Sequence, residues 1–155
     1  MKFTNIFLTI IFLLNFSNDF TFAGKEENKK MSKEFLYVVN ERLEACKTVR
    51  DLFELSQILR QEEPKYLLFV NWDGFAEFLF KLRGYKDDDK IKKIEVCAAL
   101  GINQTLVKLL DSCEKVSMII CARFVSDGKN LIDYAQEFNL KDIEKILQDY
   151  EDALD

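Results

Sequence analysis

Apolar side chains recur at three- and four-residue steps through Phe35, Leu36, Val39, Leu43, Cys46, Val49, Leu52, Phe53, Ser56 and Leu59. This is the period of an amphipathic helix, and it predicts either one long helix or two with a break near Thr48. Gln61-Glu62-Glu63-Pro64 ends the pattern, because proline disfavours helical angles in the residue before it. Lys65 to Val70 (KYLLFV) is apolar enough for a strand, but no segment of clean alternation follows to pair with it, so it is read as helix. Asp73 is placed to cap the next helix, whose stripe of Phe75, Phe78, Leu79 and Leu82 stops at Gly84. Lys86 to Lys90 (KDDDK) reads as a loop passing into a helix from Ile91 to Leu100, after which Asn103 is expected to cap Gln104 to Leu110. Glu114 to Phe124 (EKVSMIICARF) is open between strand and helix. Ser126-Asp127-Gly128-Lys129 is a turn by composition. Asn130 then caps a helix from Leu131 to Phe138, Asn139 breaks it, and Lys141 to Leu154 forms the last. The expected class is all-α.

The first residues follow a different logic. Lys2, the apolar run Ile6 to Leu14 and the Thr21-Phe22-Ala23 close give residues 1–23 the three-part layout of a secretory signal. The run is too short for a transmembrane helix, which needs about twenty apolar residues. Residues 24–31, with Lys25 to Lys30 (KEENKK), read as a charged linker, and residues 32–155 as one helical domain. Export is therefore expected, to a periplasm or an extracellular space, with no other membrane association. Cleavage after Ala23 would leave 132 of the 155 residues, enough to bury a core without staples. All four cysteines, Cys46, Cys97, Cys113 and Cys121, lie beyond the cut. An even count in an exported chain permits two disulfides, whereas Cys97 and Cys121 sit in apolar runs that suit buried thiols, and the spacing does not choose.

Composition narrows the chemistry further. The chain has no histidine, which excludes Ser-His-Asp and Cys-His hydrolases and His-ligated metal sites. A net charge of -5 argues against nucleic acid, whose phosphates are met by clustered Lys and Arg. No Cys-x-x-Cys pair supports a redox site or a zinc knuckle. Asp87, Asp88 and Asp89 are consecutive, so they splay outward and lack calcium-loop spacing. Ser56, Ser112, Ser117 and Ser126 have no Gly-x-Ser-x-Gly context. Carboxylates are abundant but interleaved with lysines, as on a solvated surface. No catalytic residue, cofactor or metal ligand is assigned, and a carboxylate-based hydrolase is the least supported class. Asn103-Gln104-Thr105 is a glycosylation pattern, meaningful only in a eukaryote.

Three segments can be overlaid: 67–83 (LLFVNWDGFAEFLFKLR), 94–110 (IEVCAALGINQTLVKLL) and 131–147 (LIDYAQEFNLKDIEKIL). Each reads as two short helices around a break, with Lys81, Lys108 and Lys145 at one place. Their starts are 27 and 37 residues apart (67 to 94, 94 to 131), which brackets the roughly 33-residue period of one helix-pair repeat. Asp127-Gly128-Lys129-Asn130-Leu131-Ile132-Asp133-Tyr134-Ala135, followed by Asn139 and Asp142 to Leu147, resembles a terminal ankyrin repeat. The resemblance implies that Asn130 caps in place of threonine, that Asp133 stands where histidine is usual, that Ala135 lets helices pack closely, and that Asn139 takes a left-handed position normally held by glycine. In the middle segment Ala98, Ala99, Leu106, Leu109 and Leu110 match, and Gly101 falls one residue early. Glu114 to Phe124 is an insertion that the family's spacing does not contain. An export signal is also unusual in this mostly intracellular family, although proteins secreted by bacteria inside host cells combine the two.

The resemblance implies stacked antiparallel helix pairs in an ankyrin-like solenoid, the alternative architecture being a small closed bundle. It further implies a monomeric, non-enzymatic module that binds a host or other partner protein through loop tips and a concave wall. Partner contacts are placed on the hairpins Arg83 to Lys92 and Ser126 to Asn130, with Trp72, Tyr85, Asp127 and Lys129 as the named residues. The rival is a periplasmic or secreted helical inhibitor or immunity-type protein held by two disulfides.

Overall fold

A computed structural model describes Phe35, residues 37–62 and residues 72–153. The expected signal and linker, and the reading of Lys65 to Val70 as helix, lie outside the described residues. Every regular element among the described residues is helical: α1 (37–45), α2 (Val49–Glu62), α3 (Trp72–Leu82), α4 (Lys90–Leu100), α5 (Asn103–Asp111), α6 (Val116–Cys121), α7 (Leu131–Glu137) and α8 (Lys141–Asp152). None of them is long and apolar enough to cross a membrane.

Of the two expected arrangements the structure has the one with a break near Thr48, and the break has a local cause. The Asp51 carboxylate accepts from the Lys47 and Thr48 N–H groups at 2.9 and 3.1 Å, and Asp51 N–H donates back to the Thr48 hydroxyl at 3.2 Å. This reciprocal cap starts α2. Asn130 does the same for α7, bonded to Asp133 in both directions at 2.9 and 3.0 Å. Two other expected caps are corrected. Asn103 is the first residue of α5, whose cap position is Ile102. Asp73 lies inside the first turn of α3, and its carboxylate accepts from the Thr105 N–H at 2.8 Å and hydroxyl at 3.0 Å. It therefore satisfies an orphan donor of α5, a different helix, and ties α3 to it.

The pairs α4–α5 and α7–α8 close alike. Gly101 and Asn139 are both left-handed, with φ of 75° and 56°. The following N–H donates in each case to the carbonyl five residues back, Ile102 to Cys97 at 2.9 Å and Leu140 to Ala135 at 2.8 Å. Gly101 thus superposes on Asn139, and the apparent one-residue mismatch disappears once the turns rather than the segment starts are aligned. The two pairs are neighbours: α4 packs on α7, and α5 packs on α8. Replacing Asn139 by glycine is expected to leave stability unchanged or raise it by up to about 1 kcal/mol, because glycine carries no steric penalty at this angle. A loss of more than that in a urea melt would show that the Asn139 side chain is needed.

The remaining helices do not extend the row. Residues 72–82 form one continuous helix through the point where segment 67–83 was expected to break, so α3 is a single rod. It packs on α5, and Lys81, Lys108 and Lys145 do fall on the α3, α5 and α8 members of that layer. Helix α2 lies along α4, yet its Phe53 ring also stacks on Tyr134 of α7 at 5.1 Å. In a linear row, where neighbours are about 8–10 Å apart, next-but-one helices do not touch; α2 therefore lies across both first helices and covers them. The segment Glu114 to Phe124, open between strand and helix, contains α6, which packs on α7 and α8. With Val116 and Ile120 buried four residues apart, a helix is the shape that hides both. One apolar cluster runs from Phe35 to Leu147.

Candidate functional site

The four residues expected to meet a partner are mostly engaged inside the chain. Trp72 is 8% exposed and edge-on to Phe35 at 5.7 Å, so it is core, the start of α3 being covered by Phe35 just ahead of α1. Tyr85 is half-buried, packed on Phe80 at 6.1 Å and under the Arg83 guanidinium at 5.7 Å. Both belong to α3 and its C-terminal turn, and neither joins the Ser126 to Asn130 turn.

Asp127 and Lys129 do come together, with partners that sequence reasoning missed. The Asp127 carboxylate accepts from the Tyr134 hydroxyl at 2.6 Å, from Arg50 Nε at 3.1 Å and from the Lys129 N–H at 3.2 Å. Glu137 accepts from Arg50 at 3.0 Å and from Lys129 Nζ at 2.9 Å. The Tyr134 phenol sits beneath, its pKa pushed up to about 12 by burial and by the bond to Asp127. Asp127 is held below the usual carboxylate range by the Tyr134 and Lys129 bonds and by Arg50, and Glu137 by Lys129 and Arg50. This network pins the turn to α2. Asp127 and Lys129 thus help to hold the fold while remaining partly exposed on the turn.

The cysteines are free thiols. Cys97 is sealed in the core, and burial pushes its thiol pKa up. The Cys46 and Cys113 thiols donate to the Arg42 carbonyl at 3.4 Å and the Leu109 carbonyl at 3.1 Å. Cys121 is exposed, 3.7 Å from a Glu151 oxygen. The two-bridge framework is thus absent, and a thiol titration in denaturant without reductant is expected to count four. A count of zero would restore the bridged rival.

The open surface lies elsewhere. Between α4 and α6 runs an apolar groove of about 390 Å³, walled by Ile91, Met118, Ile119, Ala122, Phe124 and Leu131, with Glu95 and Lys115 as its charged members. Ile91 is 55% and Met118 65% exposed, so two large apolar side chains of this groove meet solvent. Glu95 is half-buried; burial raises its pKa and the nearby Lys92 opposes this. The Glu95 carboxylate makes no ion pair or hydrogen bond among the described residues. A readable signal existed in VSMII, which holds more apolar side chains than one side of a six-residue helix can bury. The groove contains no nucleophile beside a base and suits the docking of an apolar segment. No protein-family model, curated protein or solved structure matches this chain.

Proposed function

We propose that the chain is an exported, non-enzymatic protein-binding module of ankyrin-like helix pairs. On this reading it holds an apolar segment of a partner protein in the groove between α4 and α6, with a lysine or arginine of that segment meeting Glu95. The supporting observation is the exposure of Ile91 and Met118 around a groove with one unpaired carboxylate, since soluble surfaces seldom leave a contiguous apolar patch without use. The matched turns at Gly101 and Asn139 support the ankyrin-like part of the reading, and the leader-like residues 1–23 support export. The free thiols favour this reading over the disulfide-held inhibitor.

The test is selection of peptides from a random display library on the full chain. Enriched peptides are expected to carry spaced apolar residues with a basic one. Their affinity is expected to fall at least tenfold for Met118→Glu or Ile91→Glu, and the basic preference to vanish for Glu95→Gln. Peptides that bind these variants as tightly as the parent chain, or failure to enrich any, would refute the groove as the site.

A further inference from the structure

One acidic side chain lies in the α4–α6 groove, and among the described residues it has no ion-pair or hydrogen-bond partner. Ile91 and Glu95 stand four residues apart on α4, so they share the face that walls the groove. Opposite them α6 supplies Met118 and Ile119, with Lys115 at its start and Ala122 at its end. The Glu95 carboxylate is half-buried among these apolar groups, where a charge without a partner is costly. Lys92, one turn earlier on α4, and Lys115 are both exposed, and neither forms an ion pair with it.

The other charged groups of the neighbouring elements are committed elsewhere. Lys90 donates to the Ser112 carbonyl at 3.1 Å, and Lys93 lies over the Phe80 ring at 5.4 Å. On α7, Asp133 is bonded to Asn130 and sits 3.8 Å from Arg123. Cys121 of α6 faces Glu151 of α8 at 3.7 Å. Helices α2 and α5, which also pack on α4, add no side chain to the groove among the described residues. Burial therefore dominates at Glu95 and moves its titration to the neutral side of an ordinary glutamate, with Lys92 opposing. The carboxylates that hold the fold move the other way: Asp51 through the Lys47 and Thr48 N–H groups, Asp127 through Tyr134, Lys129 and Arg50, and Glu137 through Lys129 and Arg50. Their stabilising contribution is complete above the ordinary carboxylate range and is lost only as pH falls through their depressed values. Acidification from neutrality thus discharges Glu95 before it loosens the fold.

We propose that Glu95 makes the groove a proton-operated selector, an inference that rests on the groove being the binding site: ionised, it holds a segment bearing lysine or arginine; protonated, it releases that segment and admits an uncharged apolar one. Both preferences follow from linkage. A cation brought against Glu95 favours the carboxylate, so its binding expels a proton from the acid form. A neutral apolar group strips water from Glu95 without replacing it, favours the carboxylic acid and takes a proton up. Affinity for the first therefore falls, and for the second rises, as pH falls through the titration of Glu95. Each unit by which the bound group displaces that titration corresponds to about a tenfold change in affinity.

Two probes of one chain length test it on the full chain at fixed ionic strength: decyltrimethylammonium, whose charge does not titrate, and decanol, both below their aggregation limits. Between about pH 7.5 and about pH 4.5, calorimetry is expected to show the cation weakening and the alcohol tightening, each by about threefold or more. Glu95→Gln is expected to flatten both profiles, and Met118→Glu to weaken both probes. In the free chain, the carbon-13 shift of the Glu95 carboxyl is expected to titrate above the ordinary glutamate value of about 4.3. Parallel pH profiles, opposed profiles that persist in Glu95→Gln, or a free-chain midpoint at or below about 4.3 would overturn the selector and leave the groove standing. Probe binding that is absent, or indifferent to Met118→Glu, would overturn the groove and the selector with it.

Discussion

Tyr134→Ala is expected to lower the unfolding free energy by about 3–5 kcal/mol, the range for removing a fully buried aromatic and leaving a cavity. Tyr134 is 0% exposed, stacked on Phe53 at 5.1 Å and packed on Phe124 at 5.8 Å. Its hydroxyl holds Asp127, and through Asp127 the Arg50 end of α2. The substitution thus removes core volume and unfastens α2 from α7 together. Domains of this size are stable by only about 5–15 kcal/mol, so the midpoint of urea unfolding should fall steeply. Tyr134→Phe keeps the ring stack and removes only the tie to Asp127, so its loss should be distinctly smaller. Equal losses in the two variants would mean that the hydroxyl network, rather than the ring, holds α2 in place.

The second large effect is expected from Ala135→Leu, a loss of about 1–3 kcal/mol from overpacking. Ala135 is 0% exposed on α7, and Ala98 and Ala99 are 0% exposed on α4, the helix it packs against. Small side chains at a helix contact let the axes approach, and three added carbons have nowhere to go in a core of native density. Gln136→Leu places the same side chain one residue on, at an exposed position, and should stay within about 0.5 kcal/mol. Thermal melts of the two variants give the comparison. Similar melts would indicate that α7 does not sit tightly on α4.

Local chemistry in the sequence was the reliable guide. The breaks at Thr48, Gly101 and Asn139, the Asn130 cap and the all-helical class follow from capping residues, left-handed positions and apolar period, which act within a few residues. Contacts distant in sequence left no such mark. Asp73 looks like a cap for its own helix and instead caps α5, because the choice depends on where Thr105 arrives after folding. Arg50 is an ordinary helix-face residue until α2 crosses α7, 77 positions before the Asp127 it meets. Trp72 was legible both as a loop-side anchor and as a core residue, and the Phe35 ring packed on it decides for core. Asp127 and Lys129 were legible as a turn, but not as a turn whose charges also pair with α2 and α7. The groove depends on how α6 sits beside α4. Only the surplus of apolar residues in 116–120 hinted at it.

The claim on which the rest depends is that α4–α5 and α7–α8 lie side by side as equivalent pairs. Tyr150 of α8 reports on it, since its hydroxyl donates to the Val107 carbonyl of α5 at 3.3 Å and also bonds Asp111. A nuclear Overhauser spectrum of the full chain should show cross-peaks between the Tyr150 ring and Val107, together with cross-peaks linking Tyr134 to Phe53. Helical chemical shifts in α5 and α8 without any Tyr150–Val107 peak would contradict the stacked arrangement.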